Sequence, residues 1–140
     1  MSDPLPVVSR LRRLAVDEAK RAMADCLRAE TLASQALSTL DAAIAAETDA
    51  ASEPSGDDRN VEDFALWLRR IARDRAAAAA ALHGAETRSA EARAVLAASR
   101  AAARAMEEML AGREVLRQAA AEHREQAALD ETGAQRHGGG

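Results

Sequence analysis

Residues 61–110 read VEDFALWLRR IARDRAAAAA ALHGAETRSA EARAVLAASR AAARAMEEML, and they carry an unbroken 4-3 spacing of mostly apolar positions. One line, seven apart, is Val61, Leu68, Arg75, Leu82, Ser89, Leu96, Ala103 and Leu110; the interleaved line is Phe64, Ile71, Ala78, Ala85, Ala92, Ser99 and Met106. A repeat of 3.5 residues sustained this long excludes a strand and outruns an ordinary globular helix, so it predicts a coiled-coil helix. Such a stripe needs a partner helix to bury it, and the first third of the chain offers one.

Working outward, the segment before residue 61 supplies a turn. Ser52-Glu53-Pro54-Ser55-Gly56-Asp57-Asp58 combines proline, glycine and acidic residues suited to capping a following helix. Upstream, Asp3 before Pro4 fits an N-cap, and Pro6 still falls in the first helical turn, where no backbone donor is lost. Helix 1 is expected over about 5–51, with a seam of Ala22, Cys26, Ala29, Ala33, Ala36, Leu40 and Ala43, flanked by Leu37 and Ile44. The turn is expected over about 52–59 and helix 2 over about 60–132. Asp63 is placed for a capping box, and Gly133 for a left-handed C-terminal stop. Residues 133–140 then read as a frayed polar tail.

These lengths predict a fold: all-α, an antiparallel two-helix coiled-coil hairpin with helix 2 longer than helix 1, in one domain over 1–136. A bend at Pro54–Gly56 would place Leu5 near Glu107 and leave helix 2 uncovered beyond about Leu110. The heptads lose their apolar residues at that same place: the two lines continue as Arg117 and Arg124, and as Arg113, Ala120 and Ala127. At 1.5 Å per residue the helices would be roughly 70 and 110 Å long, leaving an arm of roughly 30 Å. Alanine seams permit close helix approach but contribute little burial, so the rod is expected to be marginally stable alone. Gly84 and Gly112 each cost about 1 kcal/mol within a helix; Gly112 is either a tolerated defect or a hinge at the base of the arm.

Composition agrees. The chain has 140 residues, one Phe, one Trp, no Tyr and a formal net charge of -4. Alanine with Leu, Arg, Glu and Gln makes a strongly helical chain. The acidic balance argues against a dedicated nucleic-acid binder; Arg69, Arg70 and Arg73 are the best support for an RNA-binding alternative. No stretch of about 18 uncharged apolar residues is present to span a bilayer, and the start MSDPLPVV lacks the features of a signal peptide. A cytosolic location is expected, which suits the lone Cys26, read as a small seam residue rather than a reactive thiol.

Charge is segregated. Residues 5–28 hold six basic and three acidic groups, whereas 29–58 hold seven acidic groups and no base. That runs against the helix dipole, which favours acids at a helix start and bases at its end. It fits either two partners of opposite charge or solvated faces without a partner.

No catalytic constellation is visible. His83, His123 and His137 are scattered, only His83 and Glu86 share helical spacing, and no glycine-rich phosphate loop opens a helix. The chain is expected to be no enzyme, with no cofactor and no metal. Two stretches look instead like contact surfaces. Phe64, Trp67, Leu68 and Ile71 cluster after the bend and include every aromatic residue; core packing and partner binding both explain them. The second is the uncovered arm, an amphipathic helix of a kind that commonly docks.

On that arm Glu122-His123-Arg124-Glu125-Gln126-Ala127-Ala128-Leu129-Asp130-Glu131, followed by Ala134 and Arg136, resembles the C-terminal motif of the flagellar FliJ family. Leu11-Arg12-Arg13-Leu14 and Trp67 with Leu68 and Ile71 resemble two further elements of that family. The likeness spans about residues 11–136, its specific part is short, and the chain departs from the family in its poverty of aromatics. The resemblance implies a cytoplasmic stalk of the flagellar type III export apparatus, peripheral to the membrane through its partners. It also implies an antiparallel coiled coil that binds the hexameric export ATPase, the cytosolic domain of the export gate and export chaperones. Carried onto this chain, Arg124, Gln126, Leu129, Asp130 and Glu131 would engage the ATPase, assisted by Arg10, Arg12 and Arg13, while Phe64, Trp67 and Leu68 would face the gate. The alternatives are a structural coiled coil that oligomerises and the related stalk of a virulence-type secretion system.

Overall fold

The computed structural model describes residues 3–53 and 58–138, and within them the chain is all-helical: α1 spans Leu5–Ala51 and α2 spans Asp58–Gly138. The two pack against each other, and the second is the longer, 81 residues against 47. The start of α1 is as expected, since the Leu5 amide donates to Asp3 Oδ1 at 3.1 Å and the Val8 amide to the Pro4 carbonyl at 3.1 Å. At its end the Ser52 amide and hydroxyl both donate to the Thr48 carbonyl, at 3.1 and 2.8 Å. The expected bend at Pro54–Gly56 lies outside the described residues.

The far end of α2 differs from expectation. The helix does not stop near Thr132 but runs to Gly138, and Gly133 is helical, with no positive-φ residue among those described. A glycine can close a helix but does not compel closure. Here Ala134, Gln135 and Arg136 continue the helix, and basic Arg136 and His137 in its last turn match its dipole.

The chain divides into two units: residues 17–97, and residues 1–16 with 98–140. In the first, Ile71 and Ala85 of α2 and Ala19 of α1 are buried, with Ala78, Leu82, Ala92 and Leu96 half-buried on the expected heptad lines. On α1 the seam runs through Ala19, Met23, Cys26, Glu30, Ala33, Leu37, Leu40 and Ile44, whereas Ala22, Ala29 and Ala36 are exposed. Of the expected line Ala22, Ala29, Ala36 and Ala43, only Ala43 is half-buried; over the rest the line has moved by one residue. Met23, Leu37 and Ile44 gain more from burial than the alanines beside them, enough to carry Glu30 into a half-buried position as well.

In the second unit, Val8, Ser9, Ala15 and Val16 of α1 and Ser99, Ala103, Met106 and Leu110 of α2 are buried or half-buried. Asp3 pairs with Arg113 at 2.9 Å and Arg13 with Glu107 at 3.7 Å. Glu107 thus pairs with Arg13, and the two bridges lie about one to two turns from the register that sets Leu5 opposite Glu107. The position of the bend alone does not reveal the observed register.

Candidate interaction surfaces

Near the start of α2, helical spacing brings Phe64 and Trp67 onto one side, where their rings stack with centroids 5.9 Å apart and planes inclined by 24°. Both are half-buried. Leu68, expected on the seam, is 38% exposed, and Val61 is 66% exposed. The larger indole takes the sheltered position that the heptad line assigns to Leu68, because it has more apolar surface to remove from water. The two rings line an open cleft of about 610 Å³ whose rim includes Glu47, Ser52, Asn60 and Asp63. A cleft lined by aromatic rings and carboxylates together can hold an apolar or cationic side chain. Sequence reading located the aromatics but missed Glu47 and Asn60; the run of acids that ends α1 was the signal for Glu47, and nothing in the sequence marked Asn60.

Arg10, Arg12 and Arg13 are exposed near the start of α1, and Arg13 is engaged by Glu107. In the same unit α2 continues past Arg113 as helix. Its polar contacts there stay within the helix: Arg117 with Glu114 at 3.5 Å, Gln126 Nε2 donating to Asp130 Oδ1 at 3.3 Å, and the Thr132 hydroxyl donating to the Ala128 carbonyl at 2.9 Å. Val115, Leu116 and Leu129 are 64, 71 and 66% exposed, and Arg124, Gln126, Asp130 and Glu131 are exposed with them. Residues 124 to 131 span two turns, and Gln126, Leu129 and Asp130, at i, i+3 and i+4, share one face. The segment is a largely exposed helix.

Cys26 is half-buried on the α1 seam, and His83, His123 and His137 are exposed. Among the described residues no group of three or more His, Cys, Asp or Glu is placed to hold a metal ion. No helix of the described residues is long and apolar enough to cross a membrane. No protein-family model, curated protein or solved structure matches the chain.

Proposed function

We propose that this chain is a non-enzymatic stalk of flagellar type III protein export, built as an antiparallel coiled-coil hairpin. Asp3–Arg113, Arg13–Glu107 and Asp41–Arg75 support the direction, because the partner number falls as the α1 number rises. The observation that carries the function is the exposed helix beyond Arg113, since it bears the Glu122–Arg136 stretch that resembles the family motif. In this reading Arg124, Gln126, Leu129, Asp130 and Glu131 contact the export ATPase hexamer, with Arg10 and Arg12 contributing from the start of α1. The Phe64–Trp67 cleft and Leu68 receive the cytosolic domain of the export gate, and export chaperones are further partners. The chain then works in the cytoplasm, at the inner face of the membrane through those partners.

The test is a pull-down with the flagellar export ATPase of the same organism, combined with ATP hydrolysis measured with and without this chain. Binding together with a change in hydrolysis or ring assembly is the expected result. A chain that is helical by circular dichroism yet neither binds nor alters hydrolysis would refute the reading. Truncation at Gly112 should abolish ATPase binding, and Trp67→Ala should weaken gate binding without unfolding the rod. A virulence-type stalk is distinguished by which ATPase is bound.

The second reading, a structural coiled coil that oligomerises, is favoured by the exposure of Leu32, Leu66 and Val95, at 66, 58 and 57%. It predicts self-association with no effect on the ATPase.

A further inference from the structure

Within residues 17–97 the apolar surface is wider than one helix pair can cover. Each helix carries, one residue before alternate seam positions, a third line. On α1 it is Ala22, Ala29, Ala36 and Ala43; on α2 it is Trp67, Asp74, Ala81, Arg88 and Val95. Only Ala43 and Trp67 are half-buried, and the rest are exposed, Val95 at 57%. A narrow two-line stripe suffices for a two-stranded coiled coil, whereas a third apolar line, continuous on α1 and interrupted by Asp74 and Arg88 on α2, belongs to a helix inside a larger bundle. With the helices running in opposite directions, both third lines fall on one flank of the pair. Asp41 follows its seam residue instead of preceding it, so the Asp41–Arg75 bridge lies on the other flank.

The charges on this flank are opposite in sign and evenly placed about its centre. The α2 line holds two, Asp74 and Arg88, opposite in sign and each seven residues from Ala81. Neither has an ion-pair partner among the described residues. A two-fold axis through Ala81 would set Asp74 of each copy beside Arg88 of the other and Trp67 beside Val95. The alanine line of α1 admits a neighbouring helix at the lower end of the usual 8 to 10 Å spacing. A self-complementary patch of this kind is the signature of an isologous interface, and an unrelated partner would have no need of the symmetry. We propose that a second copy of this chain packs on this flank, with α2 antiparallel to its counterpart about Ala81, closing a four-helix bundle. The pairing does not rest on the export reading: ATPase binding through residues 114–138 and self-pairing through 67–95 can each stand or fail alone.

Sedimentation of the full chain over a concentration series should show a reversible dimer of twice the 14.8 kDa monomer mass. Arg88→Asp or Asp74→Arg alone should weaken the dimer about tenfold or more, because the two-fold axis places each like-charge clash twice. The double exchange D74R/R88D should restore it, with circular dichroism showing equal helicity throughout. A second readout does not depend on charge: in a Cys26→Ala background, Ala81→Cys should oxidise to a disulfide-linked dimer while Thr87→Cys does not. A monomer at every concentration overturns the proposal. So does a dimer that ignores both reversals, or one that Ala81→Cys cannot link.

Discussion

Arg75 and Asp41, 34 positions apart in the chain, are joined by a two-pronged bridge: Nε donates to Oδ1 at 2.5 Å and Nη2 to Oδ2 at 3.4 Å. The hydrogen bond to Asp41 raises the Arg75 pKa above its ordinary value. Arg75 occupies a position on a heptad line where the sequence shows a break in the apolar stripe, and the bridge gives that break a structural role. Both side chains remain 46% exposed, so the coupling is small and screened by salt. A double-mutant cycle of Asp41→Ala and Arg75→Ala should detect coupling at low ionic strength that disappears in about 1 M salt, where screening acts over about 3 Å.

Ser89 is 2% exposed, and its hydroxyl has no hydrogen-bond partner. A buried, unpaired hydroxyl costs about 1–3 kcal/mol, and alanine is the better helix former. Ser89→Ala should therefore stabilise the chain by about 1–2 kcal/mol in urea unfolding. A loss of stability would show that the hydroxyl makes a bond to water.

Gly112 and Gly133 are helical, and a Cβ added at either would meet nothing within 4 Å. Each Gly→Ala substitution should then add about 0.5–1 kcal/mol of helix stability. Gly112→Ala also decides between a defect and a hinge: a hinge would lose partner activity as the helix stiffens, and a defect would lose none.

Asp3 holds the start of α1. Its carboxylate accepts a hydrogen bond from Arg113 and another from the Leu5 amide, and these hold its pKa below the ordinary 3.8. The unfolded chain takes up the proton first as pH falls, so the contribution is complete above the ordinary value and is lost as pH drops through the lowered one. Amide exchange at Leu5 to Ser9 should accelerate as pH falls from about 5 to about 2, after correction for intrinsic rates. Asp3→Asn should remove most of that dependence.

Much of the fold was legible because 3.5-residue periodicity survives any single exception. Ile71, Ala78, Leu82, Ala85, Ser89 and Ala92 lie inward as their spacing requires, and α1 begins at Leu5 and ends at Ala51 as the cap and turn chemistry indicate. Rotation about the helix axis was harder to read. In α1 both an alanine and its larger neighbour satisfy the pattern, and only packing against α2 selects Met23 over Ala22 or Leu37 over Ala36. The register of Glu107 depends on long side chains reaching across one to two turns, which spacing within one helix does not encode. The end of α2 escaped because Gly133 has the composition of a stop in a context that does not use one. The candidate contact residues were found by composition, while the cleft beside them is formed by Glu47 and Asn60 from two helices and is visible only in three dimensions.

Among the described residues, the only apolar side chains buried are Ala19, Ile71 and Ala85, two of them alanines. Melting should accordingly expose little new hydrocarbon to water. The heat-capacity increment of unfolding should then fall below the about 12–15 cal/mol/K per residue of ordinary domains, which flattens the stability curve against temperature. The calorimetric transition is expected to be broad, with far-ultraviolet ellipticity declining over tens of degrees, and cold should weaken this chain less than one built around a large apolar interior.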